Sequence, residues 1–114
     1  MPLIKVSTSL TLEKSQKDSI KSKLGEAISI IPGKSEGVLM IDISDGHTIY
    51  FHGEELPKAA HVTVDLYGTA DFDVKAEFTE KVFEILKETA DLAAGEVFIR
   101  IGEYPVWGAG GKLK

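Results

Sequence analysis

The sequence restarts halfway along its length. Ile4 and Val62 stand 58 positions apart, and the same interval separates Val6 from Val64, Ile20 from Phe78, and Leu24 from Val82. It also separates Ala27 from Ile85, Ile28 from Leu86, Ile41 from Ile99, and Ile43 from Ile101. One such match would mean nothing. A series at one interval, running through strand, helix and strand patterns, predicts two copies of a β-α-β unit. Each unit lays its helix over a parallel strand pair. Two units side by side give an α+β fold: a four-stranded mixed sheet with both helices on one face. The alternative is an ordinary α+β sandwich with a fortuitous interval.

Local signals fill in the frame. Residues 3–7 read as a strand. Thr11 is placed to cap the following helix, with Glu13 in its first turn. Over residues 12–30 the apolar positions recur at helical spacing, and Pro32-Gly33 stops the helix. Residues 38–43 (VLMIDI) read as a strand. Asp45-Gly46 reads as a tight turn that folds residues 47–51 back as a short hairpin partner. Residues 53–60 read as a polar loop. The second copy has a strand at 61–67 and a helix capped by Asp71 or Asp73. Phe78, Val82, Ile85 and Leu86 share one face of that helix, Ala94-Gly95 breaks it, and 96–101 (EVFIRI) is the last strand. VLMIDI and EVFIRI carry apolar residues on both sides, which predicts that the second sheet face meets another subunit.

Composition narrows the function. The 114 residues fit a single domain over 1–114, with the repeat at about 2–58 and 60–114. The net charge is −5 and the basic residues are scattered, which argues against a nucleic-acid partner. No apolar run approaches the roughly 18 residues of a membrane span, so no membrane partner is expected. The amino terminus lacks the apolar core of a signal peptide. With no cysteine, disulfides, thiolate metal sites and cysteine nucleophiles are excluded. A cytoplasmic location is the simplest reading. His47, His52 and His61 lack the spacing of a metal motif and read as surface or edge histidines, so no metal is expected. Gly108-Ala109-Gly110-Gly111-Lys112 lacks the spacing, hydroxyl residue and helix of a phosphate loop. It reads as a flexible tail or a turn pairing with a neighbouring subunit. No nucleophile-elbow pattern occurs.

With these features in hand, the chain resembles the tautomerase superfamily, and within it the macrophage migration inhibitory factor branch. The residues that carry the likeness are Pro2-Leu3-Ile4 opening into a strand, Gly33-Lys34 after the first helix, Tyr67-Gly68 at a strand end, and the late strand from Glu96 to Ile101. The likeness spans nearly the whole chain. It implies a cofactor-independent keto–enol tautomerase acting on a small carboxylate substrate. It also implies a homotrimer with three sheets around a central channel and pockets at the subunit interfaces.

Pro2 is the candidate catalytic residue. Once Met1 is excised its nitrogen is a free secondary amine, and an α-amino group titrates near 7.7–8.0. Burial or a nearby cation lowers that value and gives a base poised near neutral pH. Such a base can take a proton from the carbon next to a carbonyl and return it elsewhere. In a chain that keeps Met1 the same nitrogen is a non-basic amide. Without the resemblance, Pro2 reads first as the stiff start of an edge strand, where a missing N–H is harmless.

The resemblance supplies the substrate-binding candidates. Lys34 matches the family's substrate-binding lysine and would hold a carboxylate; on its own it is also a solvated lysine near a helix carboxyl end. Arg100 stands where related branches commonly carry Asn, which implies a stronger carboxylate or oxyanion clamp. It could equally form a salt bridge across an interface, for example to Asp42, its repeat counterpart. Phe98 replaces the Tyr of the best-known members, so it would form an apolar wall rather than donate a hydrogen bond; packing is the other reading. Tyr67 matches a pocket-lining position whose backbone N–H can bind substrate oxygens. Trp107 lies in the tail that borders the family's pocket, or simply packs. The loop from Glu54 to His61 has no Cys-x-x-Cys pair, so thiol redox activity is not carried over. A superfamily hydratase or decarboxylase and a non-catalytic trimeric binding protein are the alternative functions.

Overall fold

The computed structural model describes residues 1–114. Strand β1 (Pro2–Thr8) leads to helix α1 (Lys14–Ala27), whose end tightens into a 3-10 turn at Ile28–Ile30, and then to β2 (Met40–Ser44). Two short strands, β3 (Tyr50–Phe51) and β4 (Glu54–Glu55), precede β5 (Ala60–Tyr67), helix α2 (Phe72–Ala90) and β6 (Val97–Tyr104). The chain ends in a small ribbon, β7 (Gly108–Ala109) and β8 (Lys112–Leu113). The main sheet has the order β2-β1-β5-β6. Its β1/β2 and β5/β6 pairs are parallel and its central β1/β5 pair is antiparallel. This is the mixed sheet of two β-α-β units that the repeat predicts.

The interval of 58 extends beyond the apolar positions that first show it. Even the 3-10 turns before β2 and β6, Glu36–Val38 and Ala94–Glu96, keep it. So does a polar staple. The Leu12 N–H donates to Asp45 at 2.9 Å, and the Ala70 N–H donates to Glu103 at 2.7 Å. Lys17 pairs with Asp45 at 3.5 Å and Lys75 with Glu103 at 3.2 Å. In both units a carboxylate at the end of a unit's second strand thus satisfies a backbone donor in the loop that opens the helix. Those backbone bonds, reinforced by the lysines, hold both carboxyls below their ordinary range.

Ile4 and Val6 of β1 and Val62, Val64 and Leu66 of β5 face the helices. They meet Ile20, Leu24 and Ile28 from the first unit and Phe78, Val82, Ile85 and Leu86 from the second, all fully buried. Each such side chain contributes about 1.5–3 kcal/mol of transfer free energy.

Several local expectations are corrected. Thr11 does not cap α1: the helix begins at Lys14, and the Glu13 N–H is satisfied by Gln16 Oε1 at 2.9 Å. Asp71 sits at the start of α2 without a side-chain cap bond. Helix α2 ends before Ala94-Gly95, at Ala90, because Asp91 takes a left-handed conformation (φ 54°) and its N–H bonds back to Leu86 and Lys87 carbonyls. Residues 47–51 do not fold back on β2. The Gly46 and His47 N–H groups donate instead to the Leu10 and Thr8 carbonyls, which carries the chain across the end of β1. Tyr50–Phe51 then pairs with Glu54–Glu55 around His52-Gly53, both at positive φ, so the expected loop contains a hairpin. The glycine-rich tail is likewise ordered, with Gly110 and Gly111 supplying the positive φ angles of its two-residue turn.

The face of the sheet away from the helices carries both polar and apolar side chains. The alternation of burial assigns it Leu3, Lys5 and Ser7 from β1, Met40 and Asp42 from β2, His61, Thr63 and Asp65 from β5, and Phe98 and Arg100 from β6. Leu3, Met40 and Phe98 are apolar, but the face as a whole is polar. Within VLMIDI and EVFIRI, Ile41, Ile43, Ile99 and Ile101 turn toward the core while Met40 and Phe98 stand on the open face, so both segments are apolar on two sides.

Candidate functional site

The start of β1 is the point where the candidate residues converge. Pro2 is buried opposite Leu66 in the antiparallel ladder. One residue earlier, the Met1 carbonyl accepts a hydrogen bond from the Tyr67 N–H at 3.1 Å. That carbonyl carbon is bonded to the Pro2 nitrogen, so the Tyr67 donor points at the position next to the nitrogen. Lys34 reaches in from the loop between α1 and β2, where Gly33 takes φ 79° and the Lys34 N–H closes a turn onto the Ile31 carbonyl. Its ammonium donates to the Tyr67 carbonyl at 2.7 Å. Tyr67 is therefore clamped on both backbone groups, one by Lys34 and one by Met1.

The carboxyl-terminal ribbon covers this end of the sheet. The Trp107 ring lies 6.5 Å from Tyr67 and 6.1 Å from Tyr104, between centroids. Trp107 and Lys114 exchange two backbone hydrogen bonds, of 2.9 and 3.1 Å, which close the base of the ribbon. The amino group at the chain start has its pKa lowered from the ordinary value of 8.0. Burial is the largest cause, followed by the Lys34 ammonium and then Lys114.

Pro2, Lys34, Tyr67 and Trp107 are thus brought together within one chain. Phe98 and Arg100 of the same chain are not among them. Tyr67 is in register with Tyr104, whereas Arg100 pairs with Thr63 and Phe98 with His61. These partners lie four and six residues along β5, about 13 and 20 Å from Tyr67 at strand rise. Arg100 donates to Thr63 Oγ1 at 3.3 Å, and Asp42 of the same chain sits on the opposite edge strand β2. Phe98 meets Phe51 edge-on at 5.3 Å. With Tyr50, Leu56, His61 and Arg100 they line a cavity of about 380 Å³. The sequence reading missed Tyr104 and Lys114 at the Pro2 end. Tyr104 lies in register beyond the predicted strand end, and nothing in the sequence signals Lys114. No group of three or more histidine or carboxylate side chains is arranged to hold a metal ion. No helix is long and apolar enough to cross a membrane.

The site is thus built on Pro2, buried at the head of the first strand of a duplicated β-α-β sheet. The model of the macrophage migration inhibitory factor (MIF) family matches residues 1–112. The chain belongs to the MIF family. Among solved structures, MIF2 of Leishmania major superposes with a TM-score of 0.91 at 20% identity, covering 100% of this chain and 97% of that one. A MIF homologue from Prochlorococcus marinus gives 0.79 at 24% identity, covering 97% of each chain. Pt0534, solved after inactivation by 2-oxo-3-pentynoate, gives 0.83 at 16% identity, covering 96% of this chain and 93% of that one. At these identities the likeness is one of fold. No match appears among curated protein sequences. The MIF-family fold of this chain is shared with members of the tautomerase superfamily, some of which are enzymes.

Proposed function

We propose that this MIF-family chain is a cofactor-independent tautomerase of small 2-keto or enol carboxylic acids, with Pro2 as the proton-transferring group after loss of Met1. The observation that carries the reading is the surround of the Pro2 nitrogen. The Pro2 residue is buried, its nitrogen adjoins the Tyr67 N–H through the Met1 carbonyl, and Lys34 holds the Tyr67 carbonyl and acts on the Met1 amine. When Met1 leaves, the nitrogen becomes a secondary amine. Burial and the Lys34 charge lower the pKa of the Met1 amine, and in this reading the same two causes lower that of the Pro2 amine that replaces it. The neutral amine takes a proton from the substrate carbon, or from the enol oxygen in the reverse direction. The resulting ammonium returns it to the other atom. The Tyr67 N–H, released from Met1, donates to a substrate oxygen, and Lys34 offsets the carboxylate charge. Trp107 borders the opening.

In this reading the protein works as a cytoplasmic homotrimer. Phe98 and Arg100 lie too far from Pro2 in their own chain, so each would complete a neighbour's site: Phe98 as an apolar wall, Arg100 on the substrate's carboxylate or carbonyl oxygen. Pt0534, a fold relative, is inactivated by a 2-oxo acid derivative, which fits the substrate class.

The test begins with the mass of the untagged chain, which should lack Met1. Enol-to-keto conversion of aromatic and aliphatic 2-keto acids should then fall by about two to four orders of magnitude in Pro2→Gly, the usual range for a lost acid–base group. The rate should also fall in acid as the amine becomes protonated. Retained Met1 in the native cell, or equal rates for wild type and Pro2→Gly, would favour a non-catalytic binding protein on the same scaffold.

A further inference from the structure

The chain's charges are distributed unevenly. Of thirteen basic residues, eight lysines are held in ion pairs with the chain's own carboxylates. The five without such a partner are Lys5, Lys34, Arg100, Lys112 and Lys114. Lys5 and Arg100 lie on the open sheet face. Lys34 and Lys114 converge on one residue, Met1. Lys34 stands beside the Met1 amine, and the Lys114 ammonium lies 4.0 Å from the Met1 sulfur. In a protein of net charge −5, two uncompensated cations around one small space make a local positive field that attracts anions.

Lys114 is not a loose surface lysine in this arrangement. Its backbone is locked to Trp107 by the reciprocal hydrogen bonds, and the Trp107 ring rests against Tyr67 and Tyr104. Met1 itself gauges the space. Its amino group lies at the Lys34 end, its carbonyl takes the Tyr67 N–H, and its thioether extends to Lys114. A four- or five-carbon acid with carboxylates at both ends has a comparable reach.

We propose that Lys114 is a specificity-determining residue that makes the Pro2 site prefer a dianion, a small 2-oxo acid bearing a second, distal carboxylate. Lys34 takes the carboxylate beside the reacting carbonyl and Lys114 takes the distal one. This rests on the reading that Met1 leaves and Pro2 acts on a 2-oxo acid. It goes further by fixing the charge of the substrate.

The experiment uses the full chain lacking Met1 and two acids of equal carbon number. These are 2-oxoglutarate, a dianion, and 2-oxopentanoate, a monoanion. Deuterium uptake at C3 in heavy water, followed by NMR, gives KM and kcat for each. The expected result is a lower KM for 2-oxoglutarate, and a preference that weakens with added salt. Lys114→Met should reduce the preference about fivefold, the effect of one exposed ion pair. The loss should fall on KM rather than kcat, and Lys114→Arg should restore the preference. Equal changes for both acids, or no change in their ratio, would overturn the proposal while leaving Pro2 catalysis intact. If neither acid exchanges, or if exchange survives Pro2→Gly, the catalytic reading fails. Calorimetric binding of the same two acids to wild type and Lys114→Met then decides the charge preference alone, and equal affinities overturn it.

Discussion

The two halves of this chain share a scaffold and differ where the chemistry would be. Pro2 has Ala60 as its repeat counterpart, Lys34 has Leu92, and Tyr67 has Ser9. One bond makes the divergence concrete. The Ser9 N–H donates to the Ala59 carbonyl at 3.0 Å, and the Tyr67 N–H donates to the Met1 carbonyl at 3.1 Å. These are the same bond in the two units, at opposite ends of the β1/β5 ladder. Ala59 is fixed in mid-chain, so its bond is permanent. In the proposed reading, loss of Met1 releases the second bond. Duplication thus supplies two geometrically equal donor positions, and the proposal frees only one of them for a ligand. The loop position after the first helix follows the same logic. Leu92 is buried at 2% exposure and packs into the core, whereas Lys34 brings a charge to the equivalent place.

Exchanging the counterparts tests this contrast most severely. Leu92→Lys would bury an unpaired ammonium and should cost more than about 3 kcal/mol, read as a fall in the urea midpoint. A stability within error of wild type would show that the second loop tolerates the charge and that burial does not separate the halves. The reverse exchange, Lys34→Leu, should leave folding stability within about 1.5 kcal/mol, because it removes one hydrogen bond from a half-buried position. Its effect should appear in substrate KM, which we expect to rise about tenfold, the loss of one charge-assisted contact.

The staples, in contrast, should behave alike in the two halves. Asp45 and Glu103 are held below their ordinary carboxylate range, so each contributes stability above its unfolded pKa, about 4. That contribution fades as pH falls through the folded value. Asp45→Asn and Glu103→Gln should each flatten part of the acid limb of a stability–pH curve, and the double variant should flatten more. Unequal slopes would reveal that one half carries the acid sensitivity.

The smallest effect is expected at Gly25, whose counterpart is Phe83. A β-carbon at Gly25 would collide with the carboxylate end of Glu36, a flexible tip that can swing away at the cost of the exposed Lys21–Glu36 pair. Replacing a helical glycine gains about 1 kcal/mol. Gly25→Ala should therefore raise thermal stability slightly. A clear loss would show that Glu36 is pinned.

Much of the fold was legible because it rests on periodicity. The aligned apolar pairs mark strand, helix and strand in both units, and those residues form the buried core or pack against it. The staples were legible in principle too, since Lys17 and Lys75, like Asp45 and Glu103, keep the interval of 58. The hairpin predicted after Asp45-Gly46 was misread because the turn signal is local. The Gly46 and His47 donors are claimed by carbonyls at Leu10 and Thr8, more than thirty residues earlier.

The sequence by itself determined the duplicated α+β architecture, the buried faces, and a proline placed to head a strand. Those depend on local pattern and on the short-range physics of helices and strands. The tertiary structure alone decided which charged residues share a site. It brought Lys34 and Lys114, eighty residues apart in sequence, to the start of β1, and it left Arg100 and Phe98 several residues along the ladder. Strand register and the docking of the carboxyl-terminal ribbon are long-range pairings, and no window of sequence contains them.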